Sequence, residues 1–306
     1  MKKAYKLRPW TEIVKLHPDV EAGNTAVATY AIDLGALVTR DPNVPAVYRE
    51  PDSFFKATHI TRELRRLIQE VFSGLTGGRG DRVLQLRSPF GGGKSHTLAA
   101  LYHAVTDPKT LTNIPELTGL PKLGKVAVAV FDGEKFDAIA GKEVAKGIRV
   151  QTLWGWLAWQ IAQERKQPQL FELIKSHDEQ CIAPGGDVIA KLLDNKPTLL
   201  LLDEVLKYMI RVAGRKVGNS TLQAQTADFL DTLTREVART NNAVLVYSLQ
   251  ASGREAFENV GLLDMLDHLT ARIDAKREPV GGDEVLPVLK KRLLAETPDL
   301  KTAKTV

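Results

Sequence analysis

The sequence lacks the features that define several common classes of protein. Its single cysteine, Cys181, excludes an internal disulfide, and its six histidines are scattered without the spacing of a Cys/His zinc site. The apolar runs, such as those at residues 126–131 and 199–202, are far too short to span a bilayer. The basic start, MKKAYKLRPW, lacks the apolar stretch that a signal peptide needs. We therefore expect a cytosolic protein that has no membrane partner and no disulfide framework.

The chain also has no long run of lysine and arginine and no internal repeat. Its net charge of +5 is mild: it permits contact with nucleic acid, and it equally suits an ATP-binding protein, which needs cations to meet phosphates. Hydrophobic residues make up 43% of the chain and charged residues 26%, which is typical of soluble globular proteins. Because 306 residues are more than one hydrophobic core usually organises, we expect a large domain with smaller attachments.

The pattern along the chain predicts an α/β protein. A helix with one apolar stripe, THITRELRRLIQEVFSGL, is followed by alternating strands and helices. The short apolar runs that predict strands are RVLQL, KVAVAVFDG, PTLLLLDEV, NAVLVYSLQ and TARIDAK. Strands that alternate with helices form a parallel sheet covered by helices on both faces. We expect an N-terminal extension with its leading helix at 1–75, a core at 76–278 and an unfinished helical lid at 279–306.

A Gly-rich stretch, SPFGGGKS at residues 88–95, lies between the first predicted strand and a helix. It nearly matches the motif G-x-x-x-x-G-K-[ST], in which backbone N–H groups wrap phosphates, the lysine reaches the β- and γ-phosphates and the hydroxyl binds Mg²⁺. Ser88 replaces the first glycine, which we expect to be tolerated because serine can make this turn at negative φ. A turn that ends in GKS by chance is the alternative. The residues expected to contact ATP here are Phe90, Gly91, Gly92, Gly93, Lys94, Ser95 and His96.

The third predicted strand ends in two adjacent acids, Asp203 and Glu204. Acids at the end of a four-leucine run are costly unless they face a cation or solvent. In many P-loop ATPases the aspartate in this position holds Mg²⁺ together with the loop hydroxyl, here Ser95, and the next glutamate activates the attacking water. We therefore predict Mg²⁺ as a cofactor and Glu204 as the catalytic base. A small-molecule kinase would need no such base, and a GTPase would need an N-K-x-D motif, which the sequence lacks.

Two further parts of the site are predicted less directly. Ser248 and Gln250, at the polar end of the fourth strand, are candidates to sense the γ-phosphate, although either could simply be a polar strand end. An arginine finger stabilises the charge of the transition state, often from a neighbouring subunit. The candidates are Arg272 and Arg277, which lie just before the terminal helix, and Arg272 is our choice. Two arginines of the helix before the fourth strand are runners-up. Each of the four could instead be a surface cation. The runners-up are Arg235 and Arg239.

Several motifs together resemble the DUF499 family of bacterial and archaeal ATP-binding proteins. They are RPWTEIVKLHPDV, YREPDSFFKATHIT, RSPFGGGKSHTLAALYH, TLWGWLAWQI and LLLLDEVLKYM. The resemblance runs from about Arg8 to Leu294, and the block from the three glycines to LYH is quite specific. That family does not hold rigidly to the first glycine of the loop, so the resemblance implies that Ser88 is harmless.

The resemblance implies an AAA-like P-loop fold with strand order 5-1-4-3-2, and an ATPase activity. Family members often accompany DNA methylases and helicases in gene clusters thought to act against phage, which implies methylase- or helicase-like protein partners. Members usually continue well beyond this length, so the chain is expected to be a fragment without its lid.

Three functions follow in order of preference. The first is an Mg²⁺-dependent ATPase that drives conformational change in a DNA-directed defence or modification complex, with homo-oligomers as one arrangement. The second is a nucleotide-gated binding module with little hydrolysis. The third is a DNA-binding protein in which ATP is secondary, suggested by the mild basicity and by the loop at 211–220, which is expected to be flexible.

Overall fold

The fold is known from a computed structural model, which describes residue 9 and residues 12–23, 32–87, 93–248, 262, 275–278 and 281–296. Helices and strands alternate through the central part of the chain, as the sequence predicts. The α-helices of the described residues are α1 (Pro18–Glu21), α2 (Leu34–Val38), α3 (Ala46–Arg49), α4 (Pro51–Ala57), α5 (Arg62–Leu75), α6 (Lys94–Thr106), α7 (Leu153–Arg165), α8 (Gln169–Glu179), α9 (Gly186–Leu193), α10 (Val205–Arg211), α11 (Leu222–Arg239) and α12 (Val285–Leu293). Short 3₁₀ helices cover Pro108–Asn113, Pro115–Leu117 and Gly282–Glu284.

Five parallel strands form the central sheet. The strands of the described residues are β1 (Lys15–Leu16), β2 (Val83–Leu86), β3 (Ala127–Asp132), β4 (Lys142–Ala145), β5 (Ile148–Val150), β6 (Thr198–Asp203), β7 (Lys216–Val217), β8 (Ser220–Thr221), β9 (Ala243–Ser248), β10 (Ala275–Arg277) and β11 (Leu294–Glu296). The sheet has the order β10-β2-β9-β6-β3, with every pair parallel. Numbered along the chain, these strands are in the order 5-1-4-3-2. The predicted α/β fold of a P-loop NTPase is therefore confirmed.

The core lies on both faces of this sheet. Strand β6 shows why: all of its residues are buried, and its leucines alternate between two apolar clusters. Leu200 and Leu202 join the cluster made with α7 to α11, and Leu199 and Leu201 join the cluster made with α2 to α6. Successive strand residues point to opposite faces, so a run of leucines is what a strand covered on both sides requires.

Helix α5 packs by its apolar stripe as the sequence predicts, but it begins at Arg62, four residues after the start of the predicted segment. Thr61 caps its N-terminus, because the side-chain hydroxyl accepts a hydrogen bond from the N–H of Leu64 at 3.0 Å. Leu64, Leu67, Ile68 and Val71 are buried against the sheet. The polar face of the helix is exposed to solvent. Because the apolar face packs in one cluster with residues of the strands, the helix belongs to the same core as the sheet.

At the outer edge of β3, side chains bind the main chain of Val130, and no strand of the described residues pairs there. Gln160 of α7 accepts a hydrogen bond from the N–H of Val130 at 3.0 Å and donates one to its carbonyl at 2.9 Å. Trp156 donates a third to the same carbonyl at 2.8 Å. An edge strand otherwise presents unpaired main-chain groups. Gln160 thus gives Val130 the two hydrogen bonds that a neighbouring strand would give it.

Three short antiparallel pairs lie outside the central sheet of the described residues, and one of them is the hairpin of β4 and β5. Strand β1 pairs with β11, with Lys15 opposite Glu296, and the N–H of His17 donates to the carbonyl of Leu293 at 3.0 Å. The third is the pair β7–β8, most of which lies in the loop at 211–220, where the sequence predicts a flexible segment. Gly218 makes this turn possible at φ +56°, a conformation that favours glycine.

The described helices were compared with the length and hydropathy of membrane-spanning helices. None of them combines the length and the apolar character that crossing a bilayer requires.

Candidate functional site

The predicted phosphate loop is described only at its end. Ser88, Phe90, Gly91 and Gly92 lie outside the described residues. Gly93, the residue before α6, has φ +79°, which glycine adopts without the steric cost that other residues incur. The helix then begins at Lys94, so its N-terminus directly follows the Gly-rich segment in the chain, as an anion site requires.

Lys94 is the cation of this site. It is only 4% exposed, although lysine is seldom fully buried. Burial lowers its pKa, and the negative charges of Asp203 and Glu204 act against that effect. The two carboxylates thus favour the charged form of this buried ammonium group, which is the form that a phosphate site uses.

Ser95 and Asp203 lie in direct contact. Ser95 Oγ donates a hydrogen bond to Asp203 Oδ2 at 2.6 Å, although the two residues are far apart in the sequence. The contact forms because β2 and β6 are parallel strands of one sheet, so the helix after β2 and the acid ending β6 meet at the same edge. The structure thus brings together the two residues that the sequence predicts as ligands of Mg²⁺.

Glu204 follows Asp203 in a strained conformation. Its φ of +51° lies in the left-handed region, which is uncommon for a residue with a side chain and recurs at functional sites. Its Oε2 is buried without a hydrogen-bond partner among the described residues, and Lys207 Nζ lies 3.6 Å away. Burial is the main cause that raises the pKa of Glu204 to about 7, with the charge of Lys207 opposing it. Such a carboxyl group can accept a proton near neutral pH.

Ser248, at the end of β9, connects the two acids. Its Oγ donates to Asp203 Oδ1 at 2.5 Å and accepts from the N–H of Glu204 at 3.1 Å. The residue is fully buried. Ser248 therefore supports the acidic pair in this structure, while its predicted role in sensing a γ-phosphate stays a prediction. Gln250 lies outside the described residues.

His96 contacts the N-terminal helices. Its ring stacks on Phe54 with 4.6 Å between ring centres. Thr58 Oγ1 donates to the carbonyl of Phe54 at 2.7 Å, so it accepts from His96 Nε2 at 3.0 Å. Burial is the main cause that lowers the pKa of His96 to about 4, which leaves the ring neutral at pH 7. Its predicted contact with nucleotide stays a prediction.

Three arginines that the sequence offers as alternatives for a finger are engaged with acids of their own chain. Arg277 binds Glu70 and Asp81, Arg235 binds Asp231, and Arg239 binds Glu236. For Arg235 and Arg239 the partner lies on the same helix. Arg272 lies outside the described residues, and its role stays a prediction.

Asp132 is a residue that sequence reasoning missed. It ends β3, and in the sheet it stands beside Asp203 of β6. Burial, followed by the charge of Asp203, raises its pKa. Its Oδ1 accepts hydrogen bonds from the N–H groups of Glu134 and Lys135, which shape the next turn. The signal was available, because FDG ends a predicted strand just as the DE pair does.

The residues present fit the Mg²⁺ that the motif implies. Magnesium prefers oxygen ligands and in phosphate sites takes few from the protein, completing its shell with phosphate and water. The hydroxyl of Ser95 and the carboxylate of Asp203 are such ligands, and they adjoin each other. Across the part of the chain that the structure describes, no cluster of three histidine, cysteine or acidic side chains could hold a metal by itself.

Comparison with known proteins adds a family match. The family model described as DUF499 N-terminal domain matches residues 19–263, more than half of the chain. No curated protein matches the chain. One solved structure to which it is similar is the crystal structure of Cdc6p from Pyrobaculum aerophilum, at 15% identity and a TM-score of 0.38 over 80% of this chain. The chain corresponds to about half of that protein, 54% of its length.

Proposed function

The chain belongs to the DUF499 family, and we propose that it is an Mg²⁺-dependent ATPase of the P-loop type. The observation that carries this proposal is the contact between Ser95 and Asp203, with Lys94 and Glu204 beside it. All four side chains meet at the carboxyl edge of a parallel sheet, in front of a helix N-terminus. Open α/β sheets bind their ligands at this edge.

Each residue has a distinct task in the proposed reaction. Lys94 binds the β- and γ-phosphates, and the N-terminus of α6 favours the same anionic groups. Glu204 accepts a proton from water as that water attacks the γ-phosphorus, and ADP leaves. Ser95 and Asp203 would hold Mg²⁺, which when bound neutralises part of the phosphate charge. Ser248 keeps Asp203 and Glu204 in place, as its two hydrogen bonds indicate.

We also propose a setting for this activity from the family resemblance. ATP hydrolysis would drive conformational change in a complex directed at DNA, with methylase- or helicase-like proteins as partners and DNA contacted indirectly. Homo-oligomers and a cytoplasmic location form part of the same proposal, as does a role against phage.

A second candidate is a nucleotide-gated binding module that hydrolyses little ATP by itself. This candidate is favoured by the ion pairs of the arginines. The three arginines that the structure describes among those considered for a finger are all bound to acids of their own chain. A P-loop ATPase that lacks an arginine finger turns over slowly until a partner supplies one. Single-turnover hydrolysis at high protein concentration, with and without DNA, separates the two candidates, since phosphate release favours the ATPase.

The test of the site is the binding of a fluorescent ATP analogue with Mg²⁺ to the full chain. We expect saturable binding in the wild type, loss of binding in Lys94→Ala, and binding without phosphate release in Glu204→Gln. Lys175→Ala is the matched control, because Lys175 lies half-exposed on α8 in a pair with Glu172. Equal affinity in the wild type and Lys94→Ala would contradict the proposed site.

A further inference from the structure

The turn that follows β3 packs directly against the main chain of Asp203 and Glu204. The N–H of Gly133 donates to the carbonyl of Asp203 at 2.9 Å. A Cβ atom added to Gly133 would lie 2.2 Å from the carbonyl oxygen of Glu204 and 3.1 Å from Tyr208 Cβ. Real Cβ atoms do not come that close to backbone, so any other residue would push the two segments apart. Glycine is needed at position 133 because a side chain there would collide with the main chain of Glu204.

The same turn, which consists of residues 133–134, is attached to α10 at two points. Arg211 donates hydrogen bonds to the carbonyls of Gly133, at 3.3 Å, and Glu134. Lys207 Nζ donates to Glu134 Oε2 at 3.2 Å. Because α10 begins directly after Glu204, the turn and the helix hold that residue between them.

Lys207 also faces the carboxylate of Glu204. The two residues are one helical turn apart, and Lys207 Nζ lies 3.6 Å from Glu204 Oε2, beyond the range of a normal hydrogen bond. Glu134 keeps the shorter contact with the same ammonium group. The cation therefore attracts the Glu204 carboxylate and fixes its direction, while Oε2 keeps its lone pairs for another group.

We propose that Gly133 and Lys207 are positioning residues for Glu204. Gly133 lets the turn hold the Glu204 main chain in its left-handed conformation, and Lys207, held by Glu134, directs the carboxylate towards the water it would activate. The inference rests on the proposed ATPase function, in which Glu204 is the base. It predicts that both residues affect the rate of hydrolysis and leave the affinity for nucleotide unchanged, since neither is among the residues proposed to bind nucleotide.

The experiment compares Gly133→Ala, Lys207→Met and Lys207→Arg with two matched controls. Gly214→Ala is the control for glycine, because no atom lies within 4 Å of a Cβ placed there. Lys175→Met is the control for lysine, because it breaks a pair with Glu172 of the same helical spacing, at 3.7 Å. Single-turnover hydrolysis and the Kd of the fluorescent ATP analogue are measured on the full chain of each variant.

We expect Gly133→Ala and Lys207→Met to slow hydrolysis by about 10- to 100-fold, the range for a small misplacement of a catalytic group, with Kd within about twofold. Lys207→Arg should recover most of the rate because it keeps the charge. Rates in both variants that match the controls would overturn the inference. Lys207→Met serves this purpose even if Gly133→Ala does not fold, since it places no atom against the main chain of the turn and methionine has nearly the length of lysine.

A second measurement separates this inference from the proposed function. The N–H of Glu204 is hydrogen-bonded to Asp203 and Ser248, so its hydrogen exchange reports how firmly the main chain is held. Gly133→Ala should speed this exchange, and Gly214→Ala should not. If the wild type does not hydrolyse ATP but the exchange changes as expected, the ATPase proposal fails and the structural positioning stands. Unchanged exchange in Gly133→Ala overturns the positioning itself.

Discussion

Asp203 uses both of its carboxylate oxygens within the protein: Oδ2 accepts from Ser95 at 2.6 Å, and Oδ1 accepts from Ser248 at 2.5 Å. The side chain is therefore fixed between the first turn of α6 and the end of β9. A fixed carboxylate loses little conformational freedom when it binds a ligand, which favours tight binding.

The first prediction concerns Asp203→Asn. The amide keeps the size of the side chain but loses the negative charge that Mg²⁺ requires. We expect Mg²⁺ to increase the affinity of the wild type for the ATP analogue. The factor of this increase should be about tenfold smaller in the variant. Titration of nucleotide with and without Mg²⁺ measures this. Asp228→Asn, an exposed site on α11, should behave as the wild type does.

The second prediction concerns Ser248→Ala and stability. Ser248 Oγ is fully buried and has hydrogen bonds to Asp203 and Glu204. Removing it leaves a buried carboxylate with one partner fewer, so the free energy of unfolding should fall by about 1–3 kcal/mol. Urea denaturation measures the change, and Ser176→Ala at an exposed site on α8 is the control. A loss no larger than that of the control would contradict the bridging role.

The third prediction concerns Gln160→Leu at the edge of the sheet. Leucine fits the apolar surroundings but cannot make the two hydrogen bonds to Val130. We expect the free energy of unfolding to fall by about 1–3 kcal/mol, and self-association to increase because an edge strand is uncovered. Denaturation and light scattering test the two parts. Gln163→Leu adds the same apolar residue at an exposed position of the same helix and should leave both unchanged.

The fourth prediction concerns stability and pH. Burial is the main cause that lowers the pKa of His103, although its hydrogen bond to the carbonyl of Tyr48 at 2.7 Å opposes the effect. In the unfolded chain a histidine has a pKa of about 6.5. Below that pH the unfolded state therefore binds more protons than the folded state, and the free energy of unfolding falls as the pH decreases. Above it, this part of the stability is fully present.

His103→Gln should reduce this pH dependence, because glutamine donates a hydrogen bond but does not titrate. One proton of difference corresponds to about 1.4 kcal/mol per pH unit at most. Urea denaturation between pH 7 and pH 5 compares the slopes of the two proteins. His96, with its pKa of about 4, contributes to both slopes, so their difference isolates His103. Identical slopes would show that His103 keeps an ordinary pKa in the folded state.

The sequence predicts those parts of the molecule that depend on local pattern. Strand β6 could be identified from its leucines, and its place in the strand order followed from the family resemblance. Both Ser95 and Asp203 could be named because their motifs place them at strand ends, and parallel strands end at one edge of a sheet. The actual contact between them is seen only in the structure.

Side-chain contacts between distant elements could not be predicted. Nothing near Gln160 in the sequence indicates that its amide replaces a strand at Val130, because that role depends on where α7 lies against the sheet. The same holds for Lys207 and for Gly133. Arg277 illustrates the reverse, since its sequence position suggested a finger, whereas Glu70 and Asp81 bind it in the folded chain.

The short ladder between β1 and β11 has a mechanical consequence. It is antiparallel, and the chain enters it at Lys15 and leaves it at Glu296, which face each other. A force pulling these two residues apart would break the residue pairs of the ladder one after another. The first contact to break would be the ion pair between Lys15 and Glu296. The ladder would yield before tension reached the parallel sheet, so pulling at these two points would leave the arrangement of Ser95 and Asp203 intact.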